Sequence, residues 1–341
     1  MQNIPGVDDV GAASVAFRFR KGAEADVAAC LALLPAGCRV PQPVRQHLPA
    51  LWRQLLAGEA YTFSIIEDLE RRAPERIEAF GLSIFVSDHF FASFEAAPRA
   101  QLASLIYERM LAGDDVMLDA HGLAAANGSG GINVVSLHFG MRNEDLADPR
   151  SAQAVATGAA SFYFAHAGYR IKAIASEVFG AQAADFVARG GFRLMRDYQA
   201  EQPGDFADVA AAHYPFLFML RREWVEPSGV NLLPQLFFAP APRIGFSRAE
   251  QRVLELALLN ETDAAVAVHL RISQETVKKL WRNIFARVDR QAPYLMPADP
   301  AADTRASGAR GLEKRRHLLE YLRLHLEELR PVITRQRTDK R

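Results

Sequence analysis

The chain has 341 residues, 50% of them hydrophobic and 23% charged, a composition that excludes a wholly disordered or fibrous protein. Its length suggests two domains. The 40 Lys and Arg residues balance 40 Asp and Glu residues, and this zero net charge excludes a nucleic-acid partner only if the charge is evenly spread. It is not, because residues 243–341 hold 20 basic and 13 acidic residues, so a basic C-terminal part follows an acidic body.

Strands and helices alternate over the first 198 residues. Period-two alternation and short apolar runs predict strands at 15–20, 61–66, 77–87, 132–139, 170–176 and 192–198. Apolar residues at helical spacing predict helices at 24–34, 44–57, 100–111, 151–167 and 181–189. This order favours an α/β or α+β domain over 1–200 rather than a helical bundle. Residues 201–242, with their aromatic residues and prolines, are interpreted as a connecting segment packed on that domain.

Three further helices are predicted between residues 246 and 288. Ser247 and Glu250 have the spacing of a capping box, and they precede an apolar run. Thr262 and Ser273 can cap the second and third helices. Two helices joined by a short turn, the second of them basic, have the outline of a helix-turn-helix. The sequence therefore predicts a second, all-α helix-turn-helix domain over 243–292.

The residues of this segment resemble the LuxR-type (GerE-like) helix-turn-helix, over about one-eighth of the chain. The matching positions are Glu250, Val253, Leu254, Asp263, Val266, Ala267, Leu270, Ile272, Ser273, Thr276, Val277, Lys278, Asn283 and Ile284. The resemblance implies that the third helix lies in the major groove of DNA. Two departures from the family pattern, Ala264 and Leu280, imply weaker phosphate affinity and an operator that cannot be transferred from other members.

Five residues of the third helix are the predicted DNA-binding site. The resemblance implies that Lys278, Lys279 and Arg282 face the DNA, and helical geometry places 278 and 282 on one face. Lysine and arginine pair with phosphates and with guanine edges. Gln274 and Thr276 lie at the helix start, where backbone N–H groups can hold a phosphate. The alternative is that the basic residues form a solvated face without a ligand.

A proline- and alanine-containing linker at 293–311 precedes an amphipathic C-terminal helix at 312–330. Leucines in this helix fall at heptad spacing, at positions 312, 319, 322, 326 and 329. Two heptads are too short for a strong independent coiled coil. The helix is therefore expected either to contribute to a homodimer contact or to pack on its own domain.

The N-terminal domain weakly resembles GNAT-type acetyltransferases over residues 15–198. The likeness is most specific near its end, at Ala183, Ala184, Phe186, Gly191 and Phe192. It implies a mixed sheet covered by helices.

The residues that this family uses to bind acetyl-CoA are largely missing. After the fourth strand, where the family has small residues that admit a pyrophosphate, the chain has Glu144, Asp145 and Asp148. The family's tyrosine acid aligns with Val187. We therefore expect a domain without enzyme activity, and no catalytic residue, cofactor or metal site is predicted.

The two cysteines and the chain's N-terminus suit a cytoplasmic protein. Cys30 and Cys38 form no C-x-x-C motif, and the first eleven residues lack the pattern of a signal peptide. The alanine-rich stretch at 151–169 contains too many polar residues to span a membrane.

Together these features predict a LuxR-type transcription regulator that binds double-stranded DNA as a homodimer. Its N-terminal domain would sense an unidentified small-molecule ligand or mediate dimerisation. The alternative is an acyl-CoA-dependent GNAT-type acyltransferase fused to a DNA-binding module. A third interpretation is a protein-interaction module whose helix-turn-helix no longer binds DNA.

Overall fold

The computed structural model describes residues 16–73, 75–201, 203–206, 208–227, 233–296 and 307–333. Seven strands form one mixed sheet in the order β1-β2-β3-β4-β5-β7-β6. They are β1 (Phe17–Lys21), β2 (Tyr61–Asp68), β3 (Ile77–Val86), β4 (Ile132–Met141), β5 (Ile171–Phe179), β6 (Arg193–Asp197) and β7 (Pro215–Arg221). Within this sheet β4 and β5 pair in parallel, and every other neighbouring pair is antiparallel. This mixed α/β architecture resembles the GNAT fold.

Fourteen helices surround or follow the sheet in the part of the chain that is described. Those between the strands are α1 (Val27–Leu31), α2 (Gln42–Arg45), α3 (Leu48–Ala57), α4 (Asp88–Ala96), α5 (Leu102–Leu111), α6 (Ala120–Gly128), α7 (Pro149–His166), α8 (Ala181–Arg189) and α9 (Tyr198–Glu201). Those after the sheet are α10 (Leu233–Phe237), α11 (Arg248–Leu258), α12 (Asp263–Leu270), α13 (Gln274–Gln291) and α14 (Ser307–Leu324). None of them is long and apolar enough to cross a membrane.

The segment predicted as a connection over 201–242 contains a strand of the sheet. Strand β7 inserts between β5 and β6, with Ser176 opposite Phe218 and Asp197 opposite Phe216. Its sequence PFLFMLR is a continuous apolar run that lacks the alternation of a half-exposed strand, because helices cover both faces of the sheet here. Residues 228–232 of this segment, and 297–306 of the predicted linker, lie outside the described residues.

The sheet has a hydrophobic core on each face. On the first face, α1, α3, α4 and α5 pack around Trp52, Phe80 and Tyr107, all of which are almost completely buried. On the second face, α7 and the C-terminal helices cover Phe85 and Val134. Helices α4 to α6 form an insertion between β3 and β4, of which the sequence predicted one helix.

Helices α11, α12 and α13 form at the predicted positions. The helix predicted at 312–330 is instead Ser307–Leu324, so it begins within the predicted linker, and a 3₁₀ turn at Leu326–Leu329 follows it. A separate all-α domain is not confirmed. Ser247 Oγ accepts a hydrogen bond from Glu250 N, and Glu250 Oε2 accepts one from Ser247 N, as in a capping box. However, Leu254 and Ile284 belong to the same continuous core as Val134 of the sheet. The C-terminal helix, α14, packs on α11 and buries Leu322.

Ion pairs join the basic C-terminal part to the acidic body. Arg248 and Arg252 both pair with Glu59, which precedes β2. Arg271 also lies 2.7 Å from Glu24. The pair between Lys21 of β1 and Glu255 of α11, at 3.4 Å, joins the two parts with the opposite polarity. Some basic residues of the C-terminal part are therefore neutralised by acidic residues of the N-terminal part.

At position 140 of β4, only glycine lets the Leu33 backbone and the Phe80 ring pack this close to the strand. A Cβ atom at this position would lie 2.1 Å from the Leu33 carbonyl oxygen and 2.4 Å from the Phe80 ring. We expect Gly140→Ala to lower the free energy of unfolding by about 1–3 kcal/mol, because backbone must shift to relieve the overlap. Gly130→Ala, where a Cβ would contact nothing within 4 Å, is the control and is expected to change it by less than about 0.5 kcal/mol in urea unfolding. Equal stability of the two variants would contradict this packing.

Candidate active site

The two parallel strands at the centre of the sheet separate towards their carboxyl ends. Their pairing runs from Ile132–Ile171 to Ser136–Ser176 and then stops, although both strands continue. A β-bulge lies at the same point, since Leu82 pairs with His138 and Ser83 with Ser136, which leaves Leu137 unopposed. Bulges re-aim side chains and often lie beside active sites. The result is a gap between the ends of β4 and β5.

On the first face of the sheet, the chain between β1 and α2 lies across this gap. The Leu33 carbonyl packs on Gly140 of β4, as described above, and a Cβ at Gly37 would lie 2.5 Å from the Phe179 ring of β5. Gln101 Nε2 donates a 3.1 Å hydrogen bond to Gly37 O. These contacts fix one wall of the gap against both strands.

Glu177, the first residue of β5 beyond the paired region, is the main titratable group of the site. Its carboxylate accepts hydrogen bonds from Gln101 N at 2.7 Å and from Leu102 N at 2.9 Å, at the start of α5. Burial raises the pKa of Glu177 to about 7, although these two hydrogen bonds oppose the shift. The residue as a whole is only half-buried, although its carboxyl group is almost completely enclosed. A carboxyl with a pKa near neutrality at the edge of a gap has the properties of a general base.

Two further polar side chains interact with Glu177. Tyr198, in α9, is 2% exposed, and its hydroxyl has no hydrogen-bond partner among the described residues. Burial, followed by the charge of Glu177, raises the pKa of Tyr198. Burial also raises the pKa of Cys38 to about 12, so this thiol stays protonated and is a poor nucleophile. The tyrosine is therefore the better candidate for proton transfer.

A buried chain of three aromatic side chains supports the β4 side of the gap. Trp52 Nε1 donates to Tyr107 Oη at 2.8 Å, which leaves the tyrosine proton to be donated to His138 Nε2 at 2.7 Å. Burial lowers the pKa of His138 to about 3, so the ring is neutral at pH 7 and accepts this bond. The chain holds His138, next to the bulge, in one orientation.

Replacing Tyr107 by Phe should lower the free energy of unfolding by about 1–3 kcal/mol. The substitution removes one oxygen but leaves both Trp52 Nε1 and His138 Nε2 buried without a partner. Tyr294→Phe is the matched control, because this ring is 68% exposed and should change stability by less than about 0.5 kcal/mol. Thermal unfolding that gave the two variants the same stability would show that the aromatic chain contributes nothing.

The start of α7 does not fit the coenzyme A diphosphate that the GNAT resemblance implies. The N–H groups of the loop before α7, and that of Arg150 in its first turn, already donate to side chains: Asp145 N to Asn143 Oδ1, Leu146 N to Gln182 Oε1, Ala147 N to Asp145 Oδ1 and Arg150 N to Asp148 Oδ1, at 2.9–3.2 Å. A diphosphate would have to displace these oxygens and would meet two carboxylates. The residues present at this place do not form a phosphate cradle.

The predicted DNA-binding residues lie together on one exposed side of α13, far along the chain from the gap. Gln274, Thr276, Lys278, Lys279 and Arg282 are all exposed. Two of them share one acidic neighbour in the same helix: Lys278 lies 3.8 Å, and Arg282 3.4 Å, from the Glu275 carboxylate. Their assignment as a binding site stays a prediction. In the GNAT-like segment, Phe186 and Val187 lie on α8, which buries none of its residues.

Sequence analysis did not identify Glu177, Tyr198 or His138 as functional residues. None of them belongs to a motif, and the hydrogen-bond partners of Glu177 and His138 lie far away in the sequence. The four-residue run SEVF, in which an acidic residue interrupts an apolar strand, was the one available signal for Glu177. In the described part of the chain, no group of three or more His, Cys, Asp or Glu residues could hold a metal ion.

No family model matches the chain, and no curated protein matches it. Among solved structures it is similar to Arabidopsis thaliana NAA60 in complex with acetyl-CoA, with 12% identity over 61% of this chain and 99% of that one and a TM-score of 0.35. It is similar to FeeM, an N-acyl amino acid synthase from uncultured soil microbes, with 13% identity, coverage of 63% and 95%, and a TM-score of 0.33. A putative arylalkylamine N-acetyltransferase 7 from the yellow fever mosquito matches with 11% identity, coverage of 60% and 87%, and a TM-score of 0.36.

These matches correct the predicted function. The similar structures are acyl- and acetyltransferases, and none of those named above is a DNA-binding regulator. The prediction of a LuxR-type transcription regulator without enzyme activity is therefore wrong, and so is the prediction of double-stranded DNA as its partner. The acyltransferase alternative agrees better with these findings. At such low identities and TM-scores the matches assign neither activity nor substrate to this chain, so any assignment must rest on the site itself.

Proposed function

We propose that the chain is an acyltransferase that moves an acyl group from a thioester to an amine. The observation that carries this proposal is Glu177, a carboxyl with a pKa near 7 placed at the gap between β4 and β5. Aminolysis of a thioester needs a base because amines are mostly protonated at neutral pH. A carboxyl that titrates near pH 7 is suited to accept that proton.

The backbone of β4 can hold the donor. Beyond Ser136 the edge of β4 that faces β5 has no partner from that strand, so its N–H and C=O groups are available to an extended chain. The thiol arm of a pantetheine thioester contains two amide groups that can pair with such an edge. This binding would place the thioester carbonyl beside the bulge at Leu137.

The reaction follows from the two titratable groups on the β5 side. Glu177 takes one proton from the ammonium form of the acceptor, and the freed nitrogen attacks the thioester carbonyl carbon. The C–N bond forms, the C–S bond breaks, and the remaining surplus proton on nitrogen passes through the Tyr198 hydroxyl to the leaving thiolate. The products are an amide and a thiol, and Glu177 returns its proton to solvent.

The direct test is amine-dependent release of thiol by the purified full chain. Acetyl-, octanoyl- and palmitoyl-CoA and the three corresponding acyl-pantetheines serve as donors, with an alkylamine, an arylalkylamine, an α-amino acid and a peptide with a free amino terminus as acceptors. We expect at least one pair to give thiol and amide in equal amounts, measured by a chromogenic disulfide and by mass spectrometry. Thiol release at the uncatalysed rate with every pair would contradict the proposal.

A further inference from the structure

We infer that the donor is recognised as an acyl-pantetheine thioester, without any contribution from the nucleotide diphosphate of coenzyme A. This inference rests on the proposed acyl transfer and specifies its donor. Three donors contain an acyl group on a pantetheine arm. They are free acyl-pantetheine, acyl-CoA and a carrier protein whose phosphopantetheine is acylated. The inference concerns which part of that donor the chain binds.

The backbone donors in the loop before α7 and in its first turn are already used. Four consecutive or nearly consecutive N–H groups, from residues 145 to 150, donate to side-chain oxygens. A fifth, Asp148 N, donates to Asp145 O at 3.2 Å. Gln182 of α8 also ties that helix to the loop before α7, because its Oε1 accepts from Leu146 N. Phosphate binding at a helix start depends on free N–H groups, and here those of residues 145–148 and of Arg150 are occupied.

The same loop is negatively charged. Three carboxylates, those of Glu144, Asp145 and Asp148, lie within five residues, and Glu144 is held in place by a 3.1 Å hydrogen bond from Ala36 N. A diphosphate with two or more negative charges would be repelled by this arrangement.

The two arginines that flank this loop, Arg142 and Arg150, have other partners. Arg142 donates to Ile77 O at 2.8 Å and to Glu75 O at 3.0 Å, on the side of β3. Arg150 pairs with Asp68, a fully buried carboxylate at the end of β2. Neither guanidinium is placed to neutralise a phosphate at the start of α7. The loop therefore has neither the donors nor the positive charge that diphosphate recognition needs.

The experiment compares three donors with the same octanoyl group and the same amine. They are octanoyl-pantetheine, octanoyl-CoA and octanoyl phosphopantetheine on a purified acyl carrier protein. We expect kcat/KM for the first two to agree within about threefold, since the nucleotide contributes no binding energy. A higher value for the carrier-borne donor would also support the inference and would identify a carrier protein as the source. A preference for octanoyl-CoA over octanoyl-pantetheine of 100-fold or more would overturn it.

A variant in which two N–H groups of the loop before α7 are freed provides an independent test of the inference. Asp145→Gly together with Gln182→Ala removes the acceptors of Ala147 N and Leu146 N and one negative charge. We expect this variant to raise the ratio of octanoyl-CoA to octanoyl-pantetheine turnover at least fivefold, and an unchanged ratio would count against the inference. The failure of the proposed function looks different, because then none of the three donors would be turned over by the wild-type chain. In that case, a rise in melting temperature with millimolar 3′-phosphoadenosine 5′-diphosphate, which contains the diphosphate of coenzyme A, would overturn the inference on its own, and no rise is expected.

Discussion

Glu177→Gln is expected to lower kcat for amine acylation by about 100-fold or more, with a much smaller change in KM. The amide has the same shape as the carboxyl, but it cannot accept the proton of the ammonium group, and loss of a general base typically costs a factor of 10²–10⁴. Steady-state thiol release measures both constants. Because Glu177 also accepts hydrogen bonds from Gln101 N and Leu102 N, circular dichroism and thermal unfolding must accompany the rates.

Glu70→Gln is the matched control for this variant. Glu70 follows β2, its side chain is 55% exposed, and it lies 3.7 Å from Arg150, outside the gap. We expect its kcat to stay within twofold of the wild-type value. If the Glu177→Gln variant were folded and kept more than a third of the wild-type kcat, Glu177 would not be the base.

Arg330→Met is expected to lower the free energy of unfolding by about 3–5 kcal/mol. The guanidinium is 4% exposed and donates to Ala167 O, to Phe164 O and to the buried carboxylate of Glu255, at 2.7–3.1 Å. Its plane also lies over the Tyr169 ring at 4.7 Å. Removing one partner of a buried ion pair leaves the other without full compensation, and two carbonyl groups at the end of α7 lose their donor.

The pH dependence of stability gives this prediction a second measurement. Although burial disfavours ionisation, the charges of Lys21, Arg248 and Arg330 lower the pKa of Glu255 to about 2. A lowered pKa in the folded state means that Glu255 stabilises the fold above pH 4.5 and that this stabilisation is lost as the pH falls from 4.5 to 2. In Arg330→Met we expect a smaller loss over this range.

Arg189→Met is the control for Arg330→Met. Arg189 pairs with Asp185 on α8, and the two side chains are 79% and 60% exposed, so the substitution should change stability by less than about 0.5 kcal/mol. Urea unfolding at pH 7 compares the two variants directly. A difference between them of less than about 1 kcal/mol would show that the interface between the sheet and the C-terminal helices does not depend on Arg330.

Local sequence patterns predicted six strands of the sheet and failed at β7. Strands β1 to β6 have alternation or flanking turn residues that a sequence reveals, and each was predicted within a few residues. Strand β7 is apolar throughout, and an apolar run without a period can belong to a strand, a helix or a packed loop. Its position between β5 and β6 makes this run a strand, and that position depends on the whole fold and not on the local sequence.

The C-terminal pattern shows why a well-matched motif did not establish a function. The capping box at Ser247 and the caps at Thr262 and Ser273 form as predicted, because capping depends on residues three positions apart. The apolar stripes pack as predicted, but they join the core of the sheet. The capping residues and the apolar stripes determine where the helices form and how they pack, but not what the basic face of α13 binds.

The candidate site could not be predicted from the sequence because its parts meet only in the folded chain. Glu177 receives its hydrogen bonds from residues more than 70 positions earlier, and the raised pKa comes from surroundings that Cys38 and Tyr198 help to form. The acidic loop after β4 is visible in the sequence, where it argues against an enzyme. In the structure the acidic loop argues only against a diphosphate site at the start of α7, because its N–H groups are occupied. It does not block the gap between β4 and β5, where another donor can bind.

The pH dependence of kcat/KM for amine-dependent thiol release, from pH 5.5 to 8.5, tests the central claim most directly. Because the pKa of Glu177 is raised to about 7 and its ionised form is the base, activity should rise with pH through an inflection near 7 and then level off. In Glu177→Gln this inflection should be absent. A wild-type profile without an inflection between pH 6 and 8, or the same inflection in the variant, would contradict the account.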